Sequence, residues 1–293
     1  EQLSGHPRDN VVGEPAKRDT APCIGLAAAL ISAQDPEAVM AVMPSDHVIS
    51  TDEQFCGALR LGHELIEQDP ERIITFGIKP TYPAESFGYI QRGEAVRDGG
   101  EGAVYRVDRF REKPDQSTAE AYLQSGDFYW NSGIFLWKAT TILSALKASQ
   151  PEMFGHLEAI ADAISTDEFD KVLDQEFHAI KGTSIDYAVM ESYPNVVVIE
   201  APFHWDDVGS WQSLGRLHPS DASQNTVVGD HIGIDTTGTI IYSDGDHTIV
   251  TIDVHDLIVV QTKDATLVAP KAAEERVREA VKQLEASGRT QRL

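Results

Sequence analysis

"TVVGDHIGIDTTGTIIYSDGDHTIVTIDVHDLIVVQTKDATLVAP", residues 226–270, decides how the chain divides. Short runs rich in Val, Ile and Thr alternate with Gly and Asp turns, and no helical period interrupts them before Ala272. The stretch reads as a second, all-β domain, coiled as a small β-helix. A terminal amphipathic helix follows, with Ala273, Val277, Ala280, Val281 and Leu284 on one face. That face is expected to pack on its own domain or on a twin subunit.

Upstream the texture differs. The alanine-rich "PCIGLAAALISA" reads as a helix with Pro22 in its first turn. The apolar run Ala38–Met43, cut off by Pro44, suits a strand covered on both faces. Thr51 and Gln54 form a capping-box pattern before a helix over 52–67, and Ser117 and Glu120 repeat it before "AEAYLQSG". "RIITFGI", residues 72–78, is another buried strand. Strands alternating with helices predict an α/β domain with a mainly parallel or mixed sheet. The expected domains are 1–217 and 218–293.

Charge narrows the partners. The chain has 24 basic and 47 acidic residues, a net charge of −23 with histidine neutral, so nucleic acid and anionic membrane surfaces are repelled. An anionic substrate would need a metal or a local basic cluster to invert that field. Cys23 and Cys56 lack metal-ligand spacing and read as reduced, buried thiols of a cytoplasmic protein. No apolar run approaches the roughly 18 residues of a membrane span. The polar opening "EQLSGHPRDN" suggests a missing N-terminal portion.

Four stretches carry chemistry. In "MPSDH", residues 43–47, Asp46 follows the end of a strand, where open α/β sheets place ligands. In "REKP", residues 111–114, Pro114 predicts an extended Lys113. "YWNSGIFLW", residues 129–137, sets Asn131 and Ser132 among aromatics beside Gly133, groups that suit a sugar's hydroxyls and its CH face. "HWDDVGSW", residues 204–211, pairs Asp206 with Asp207; in an extended segment these point to opposite faces, so one alone is expected to reach a cation. Each stretch also has a plain structural reading: solvated charge, or a strand with buried aromatics.

In order along the chain stand "EPAKRDTAP" (14–22), "PSDH" (44–47), "SFGYI" (86–90), "REKP", "WNSGIF" (130–135), "SIDYAVME" (184–191) and "WDDVGSW" (205–211). This series resembles the mannose-1-phosphate guanylyltransferases of the sugar-nucleotide pyrophosphorylase superfamily, in their monofunctional form. The resemblance implies a Rossmann-like nucleotidyltransferase domain and a small C-terminal β-helix-like domain used in homodimer packing. It implies GTP and mannose 1-phosphate as substrates, GDP-mannose as product, and Mg2+ or another divalent cation such as Mn2+ on Asp46 and Asp207. Lys113 would contact the sugar phosphate. Gly88, Tyr89, Glu112, Asn131 and Ser132 would line the sugar pocket, and Glu14, Pro15, Arg18 and Thr20 would surround guanine. Glu176 and Asp186 receive no assignment.

Three departures stand out. Asp19 occupies a position where asparagine is commoner, and Phe87 replaces a tyrosine. The family's glycine-rich phosphate loop followed by Arg-Leu-Trp-Pro does not occur in this sequence, so the chain is expected to be incomplete for activity. Phosphoryl transfer of this kind rests on positioning and charge stabilisation and needs no nucleophilic side chain. The rival readings are a non-catalytic sugar-nucleotide-binding regulatory subunit of the same fold, and a nucleotidyltransferase for another hexose 1-phosphate. The presence of Asp46, Lys113 and Asp207 favours an enzyme. An acyltransferase β-helix is disfavoured, because the β-rich tail is short and lacks a sustained hexapeptide repeat.

Overall fold

The apolar runs upstream of Trp205 assemble into one sheet between helices. The computed structural model describes residues 5, 7, 10–97 and 102–289. Packing separates two units: the chain up to Ser45 with Ile49–Trp205, and Asp46–Val48 with the chain from Asp206 on.

In the first unit, strands β1 (Val39–Val42), β3 (Ile73–Ile78), β4 (Tyr89–Arg97), β5 (Val104–Arg111), β6 (Phe128–Lys138) and β7 (Val196–Glu200) form a sheet in the order β1-β6-β3-β7-β5-β4. The short β2 (Val48–Ser50) lies outside it. The sheet is mixed: β3 and β7 run parallel, while β1, β3 and β4 each pair with β6 antiparallel. Strand β1, expected to be covered on both faces, stands at the sheet edge with Met40 as its one buried residue. An edge strand needs only one apolar side chain inward, and Pro44 stops it early.

Strand alternation sorts the core into two layers. On β6, Phe135 and Trp137 face one cluster, while Ile134 and Leu136 face another; Val196 and Val198 of β7 alternate likewise with Val197 and Ile199. Helix α2 (Asp52–Gln68) covers the second cluster with Ala58, Leu61, Leu65 and Ile66, spaced at the helical period. Helices α1 (Thr20–Gln34), α4 (Ala139–Ser149), α5 (Pro151–Ala163) and α6 (Phe169–Ala179) cover the first. A Cβ on Gly25 of α1 would lie 2.4 Å from a Leu157 methyl of α5, so a larger residue there would push that buried side chain aside. Each large apolar side chain buried here stabilises the fold by roughly 1.5–3 kcal/mol.

Both expected capping boxes are replaced by other arrangements. Thr51 sits at φ 69°, and its hydroxyl donates to Ser50 O rather than capping α2. Helix α3 (Gln116–Ser125) is capped by Asp115, whose carboxylate accepts from Thr118 N at 2.8 Å and from Ser117 Oγ at 3.0 Å. An aspartate at the N-cap outcompetes a serine two residues later. Cys23 and Cys56, expected to be buried, are both exposed and free.

The second unit holds β9 (Thr226–Val228), β10 (Asp230–Ile234), β11 (Ile240–Ser243), β12 (Thr248–Ile252), β13 (Leu257–Gln261) and β14 (Thr266–Pro270). β9, β11 and β13 stack in parallel, β10 and β12 do the same, and β14 closes antiparallel on β13. Ile240 faces Ile258 and Asp230 faces Thr248, so the two parallel stacks share one rung length, as in a β-helix. The corners recur at positive φ, at Asp235 (50°) and Asp253 (52°), then Gly238 (61°) and Asp256 (51°). The Gly and Asp turns of the sequence supply these conformations. Asn225 is buried at the first corner, donating to Thr236 O and accepting from Thr239 N.

Residues 206–217, expected in the first domain, pack with this second unit. Trp211 lies 5.5 Å from Tyr242, and Gln212 bonds the Glu274 carboxylate through both its backbone and side-chain nitrogens. Short helix α7 (Ser213–Leu217) follows. The terminal helix α8 (Val277–Ala286) has no buried residue, and Val281 is 40% exposed. Its apolar face is partly covered by its own domain: Val277 and Leu284 are half-buried, while Ala280 and Val281 are exposed.

Candidate active site

The two aspartate segments meet through a short ribbon. Strand β2 pairs with β8 (His204–Asp206), so Asp46–His47 precedes one strand and Asp207 follows its mate. Asp46, His47, Asp206 and Asp207 all belong to the second unit. Burial lowers the His47 pKa, while the charges of Asp46, Asp207 and Asp206 act to raise it. All three carboxylates are thus within electrostatic reach of one imidazole.

Asp206 and Asp207 have different tasks. Asp206 is buried, and both its oxygens are engaged: Oδ1 accepts from Val208 N at 2.9 Å and from an Arg216 terminal guanidinium nitrogen at 3.1 Å, and Oδ2 accepts from Arg216 Nε. Burial acts to raise its pKa but is outweighed by the Arg216 guanidinium and the Val208 N–H, which hold it below the usual carboxylate range. Asp207 is half-buried and heads a turn in which Val208 adopts φ 51°, a conformation β-branched residues rarely accept. A Cβ on Gly209 would lie 2.5 Å from Asp207 Oδ2, so glycine leaves the carboxylate room in this orientation.

Among the described residues, no group of three or more His, Cys, Asp or Glu side chains is placed to hold a metal. A closed protein cage is therefore not what this segment offers. Two carboxylates fit Mg2+, which keeps waters and takes substrate phosphates as its remaining ligands.

A second cluster lies wholly in the first unit. At the end of β5, Glu112 is largely buried and pairs with Lys113 at 3.4 Å, while the Lys113 side chain is 64% exposed. Lys113, expected to be extended, adopts φ 45°; the following proline excludes the right-handed helical region without excluding this one. A Cβ on Gly88 would stand 2.5 Å from Glu112 Oε2 and 3.4 Å from Asn131, so glycine here makes room for the acid. Asn131 N donates to Gly88 O at 2.8 Å. The Asn131 amide is oriented by its partners: Oδ1 accepts from Thr75 Oγ1 and Gly133 N, and Nδ2 donates to Asp186 Oδ1 at 3.1 Å.

Asp186 opens a π-helical turn, Asp186–Met190. Burial, reinforced by the Glu112 charge, pushes its carboxyl up to about 6, against the pull of the Asn131 bond and Lys113. Sequence reading singled out its motif but gave it no role. The signal was an acid preceding the apolar "YAVM"; its partner lies 55 residues away and is invisible locally.

Two expected pocket residues turn inward. Tyr89 is fully buried, its hydroxyl donating to Ala84 O at 3.0 Å and its ring packed on Tyr122 and Phe128. Ser132 is 1% exposed, and its Oγ accepts from Ile134 N. Strand alternation sends Asn131 and Ser132 to opposite faces, so their side chains do not line one wall. Phe87 packs on Trp130 and Trp205, a packing role in keeping with its substitution for tyrosine.

The segment expected around guanine is anchored from beneath. Arg18 donates to His178 O at 2.6 Å, near the C-terminal end of α6, where a cation is favoured. Thr20 Oγ1 accepts from Ile185 N at 2.9 Å. Asp19 has φ 67° and ψ −170°, outside the left-handed helical region, and its carboxylate accepts from Thr20 N at 2.9 Å. Glu14 is exposed and accepts from the Cys23 thiol, whose pKa is pushed up to about 11 by partial burial of the sulfur first and by Glu14 second. Pro15 is half-buried. Glu176 bonds His156 Nδ1 at 2.7 Å, which accounts for it structurally.

A mixed α/β unit with a glycine-backed Glu–Lys–Asn–Asp cluster, together with a β-helical unit, defines a nucleotidyltransferase architecture. Residues 6–224 match the nucleotidyl transferase family, and residues 229–284 match the MannoseP isomerase/GMP-like β-helix domain. The chain belongs to the nucleotidyl transferase family. It is 39% identical over 284 residues to a mannose-1-phosphate guanylyltransferase of Escherichia coli (strain K12), covering 96% of this chain and 59% of that one. It is 38% identical to mannose-1-phosphate guanylyltransferase ManC of Salmonella typhimurium, covering 96% and 58%. The chain thus spans less than two thirds of these curated relatives. A crystal structure of mannose-1-phosphate geranyltransferase from Thermus thermophilus superposes with a TM-score of 0.82 at 32% identity, covering 94% of this chain and 77% of that one.

Proposed function

We propose that the chain transfers GMP from GTP to mannose 1-phosphate, giving GDP-mannose and pyrophosphate. The observation that carries this reading is the convergence of Gly88, Glu112, Lys113 and Asn131 on one cluster, in a chain 39% identical over 284 residues to a relative named for that activity. In the reaction, a phosphate oxygen of mannose 1-phosphate attacks the α-phosphorus of GTP. The bond from that phosphorus to the bridging oxygen breaks, and pyrophosphate leaves with the electron pair.

Lys113, the exposed partner of Glu112, offers its ammonium to the sugar phosphate. Glu112 and Asn131 take sugar hydroxyls, and Gly88 leaves the space they need. Tyr89 and Ser132 support this cluster from the core side. Glu14 accepts from the Watson–Crick edge of guanine, on a segment that Arg18 and Thr20 fasten and Pro15 stiffens. Asp46 and Asp207 hold the divalent cation, with Asp206 and Arg216 fixing the turn that carries Asp207. A bound Mg2+ or Mn2+ supplies positive charge that offsets the phosphates in a chain whose net charge is −23.

No helix among the described residues is long and apolar enough to cross a membrane, and we place the chain in the cytoplasm. We also propose a homodimer through the second unit. Ile232 faces Val250 and Ile234 faces Ile252 on the outer side of β10–β12, each 50–61% exposed. A flat apolar strip of this kind suits a self-complementary twofold contact.

The test mixes the full-length protein with Mg2+, each of the four common nucleoside triphosphates, and mannose or glucose 1-phosphate, and follows pyrophosphate. Release with GTP and mannose 1-phosphate is expected. Preference for another nucleotide or sugar, or no release with any pair, would count against the reading.

A further inference from the structure

The segment 178–186 touches both the base segment and the sugar cluster. His178 O accepts from Arg18, and a Cβ on Gly182 would lie 2.6 Å from Arg18 O. Thr183 O accepts from Ala21 N at 3.1 Å, and Ile185 N donates to Thr20 Oγ1 at 2.9 Å. Ile185 is 2% exposed, so this peptide cannot exchange its partner for water without opening the core. The next residue is Asp186, whose Oδ1 takes the Asn131 Nδ2 hydrogen at 3.1 Å.

The Asn131 amide is held from both ends. Its Oδ1 accepts from Gly133 N at 3.2 Å, and the one Thr75 hydroxyl hydrogen is shared between Oδ1 and Ile134 O, both at 3.3 Å, so the shorter Nδ2 bond to Asp186 is the firmest hold on the amide. Removing the acceptor would release the amide to rotate beside Gly88 and Glu112. The groups facing the Asp186 carboxyl are Glu112, Lys113 and Asn131, together with its own backbone N–H.

We propose that Asp186 is a positioning residue for the sugar 1-phosphate, orienting Asn131 through its Nδ2, and that the Thr20–Ile185 hydrogen bond makes this hold depend on the segment assigned to the base. The inference rests on the function proposed above and deepens it. It links the two substrates mechanically: strain or order at Thr20 passes through one buried peptide to the carboxylate that sets Asn131.

The experiment uses the full-length protein, varies GTP and mannose 1-phosphate separately, and follows pyrophosphate. Asp186→Ala is expected to raise KM for the sugar phosphate about tenfold or more, as losing a hydrogen bond to a charged group does, while KM for GTP stays within about twofold. Asp186→Asn, which retains an acceptor oxygen, is expected to recover most of that loss. Thr20→Val should raise the sugar-phosphate KM as well, and Thr20→Ser should not. Circular dichroism melts identify any variant that fails to fold; if the alanine variant does, Asp186→Ser takes its place. Wild-type turnover with an unchanged sugar-phosphate KM in Asp186→Ala, or equal rises in both KM values, overturns this inference alone. Absence of turnover by the wild type with any sugar phosphate overturns the functional reading and this inference with it.

Discussion

Replacing Asp186 with asparagine should stabilise the first unit at neutral pH. The native carboxyl is held up to about 6 by burial and by Glu112, against an ordinary value of 3.8. A proton held so much more tightly in the folded chain means that ionising Asp186 costs the native state about 3 kcal/mol. The stability is fully present below about pH 3.8 and is lost as pH rises through 6. An asparagine at this position would mimic the protonated acid at every pH, keeping an acceptor for Asn131. The expected result is a variant up to about 3 kcal/mol more stable than wild type at pH 8, with the difference vanishing near pH 4. Urea unfolding at about pH 4.5, 6 and 8, followed by the fluorescence of buried Trp130 and Trp137, measures it. Equal stability at pH 8, or a less stable variant, would show that Lys113 and Asn131 compensate the buried charge fully. Because the acceptor for Asn131 is kept, the gain should come with little loss of sugar-phosphate binding.

Three further outcomes are expected. Asp207→Asn should abolish cation-dependent pyrophosphate release while leaving the melting temperature unchanged; turnover that persists would remove Asp207 from the cation site. Arg216→Ala leaves the buried Asp206 carboxylate without its guanidinium and should cost the second unit about 1–3 kcal/mol at pH 7 in urea unfolding. Because the Asp206 pKa is depressed, that cost should shrink as the medium is acidified through it. Gly88→Ala places a methyl 2.5 Å from Glu112 Oε2 and should raise the sugar-phosphate KM more than the GTP KM in steady-state kinetics; equal effects on both would refute the local clash.

By itself the sequence determined the division into an α/β part and a β-helical part, because period-2 runs punctuated by Gly and Asp allow few other structures. Single side chains also announced themselves: Lys113 beside Pro114, Asp46 after a strand, and Asp207 before Val-Gly. The sense of strand pairing was not legible, since β6 takes antiparallel partners from three separate places in the chain. Nor was it legible that residues 206–217 pack with the β-helix, which depends on Trp211 finding Tyr242 and Gln212 finding Glu274. The inward turn of Tyr89 and Ser132 was set by which sheet face each occupied. Above all, only the tertiary structure brought Asp186 to Asn131 and Ile185 to Thr20, across 55 and 165 residues. Local patterns report what a segment can become, whereas a hydrogen bond between distant segments exists only after the core has fixed both ends.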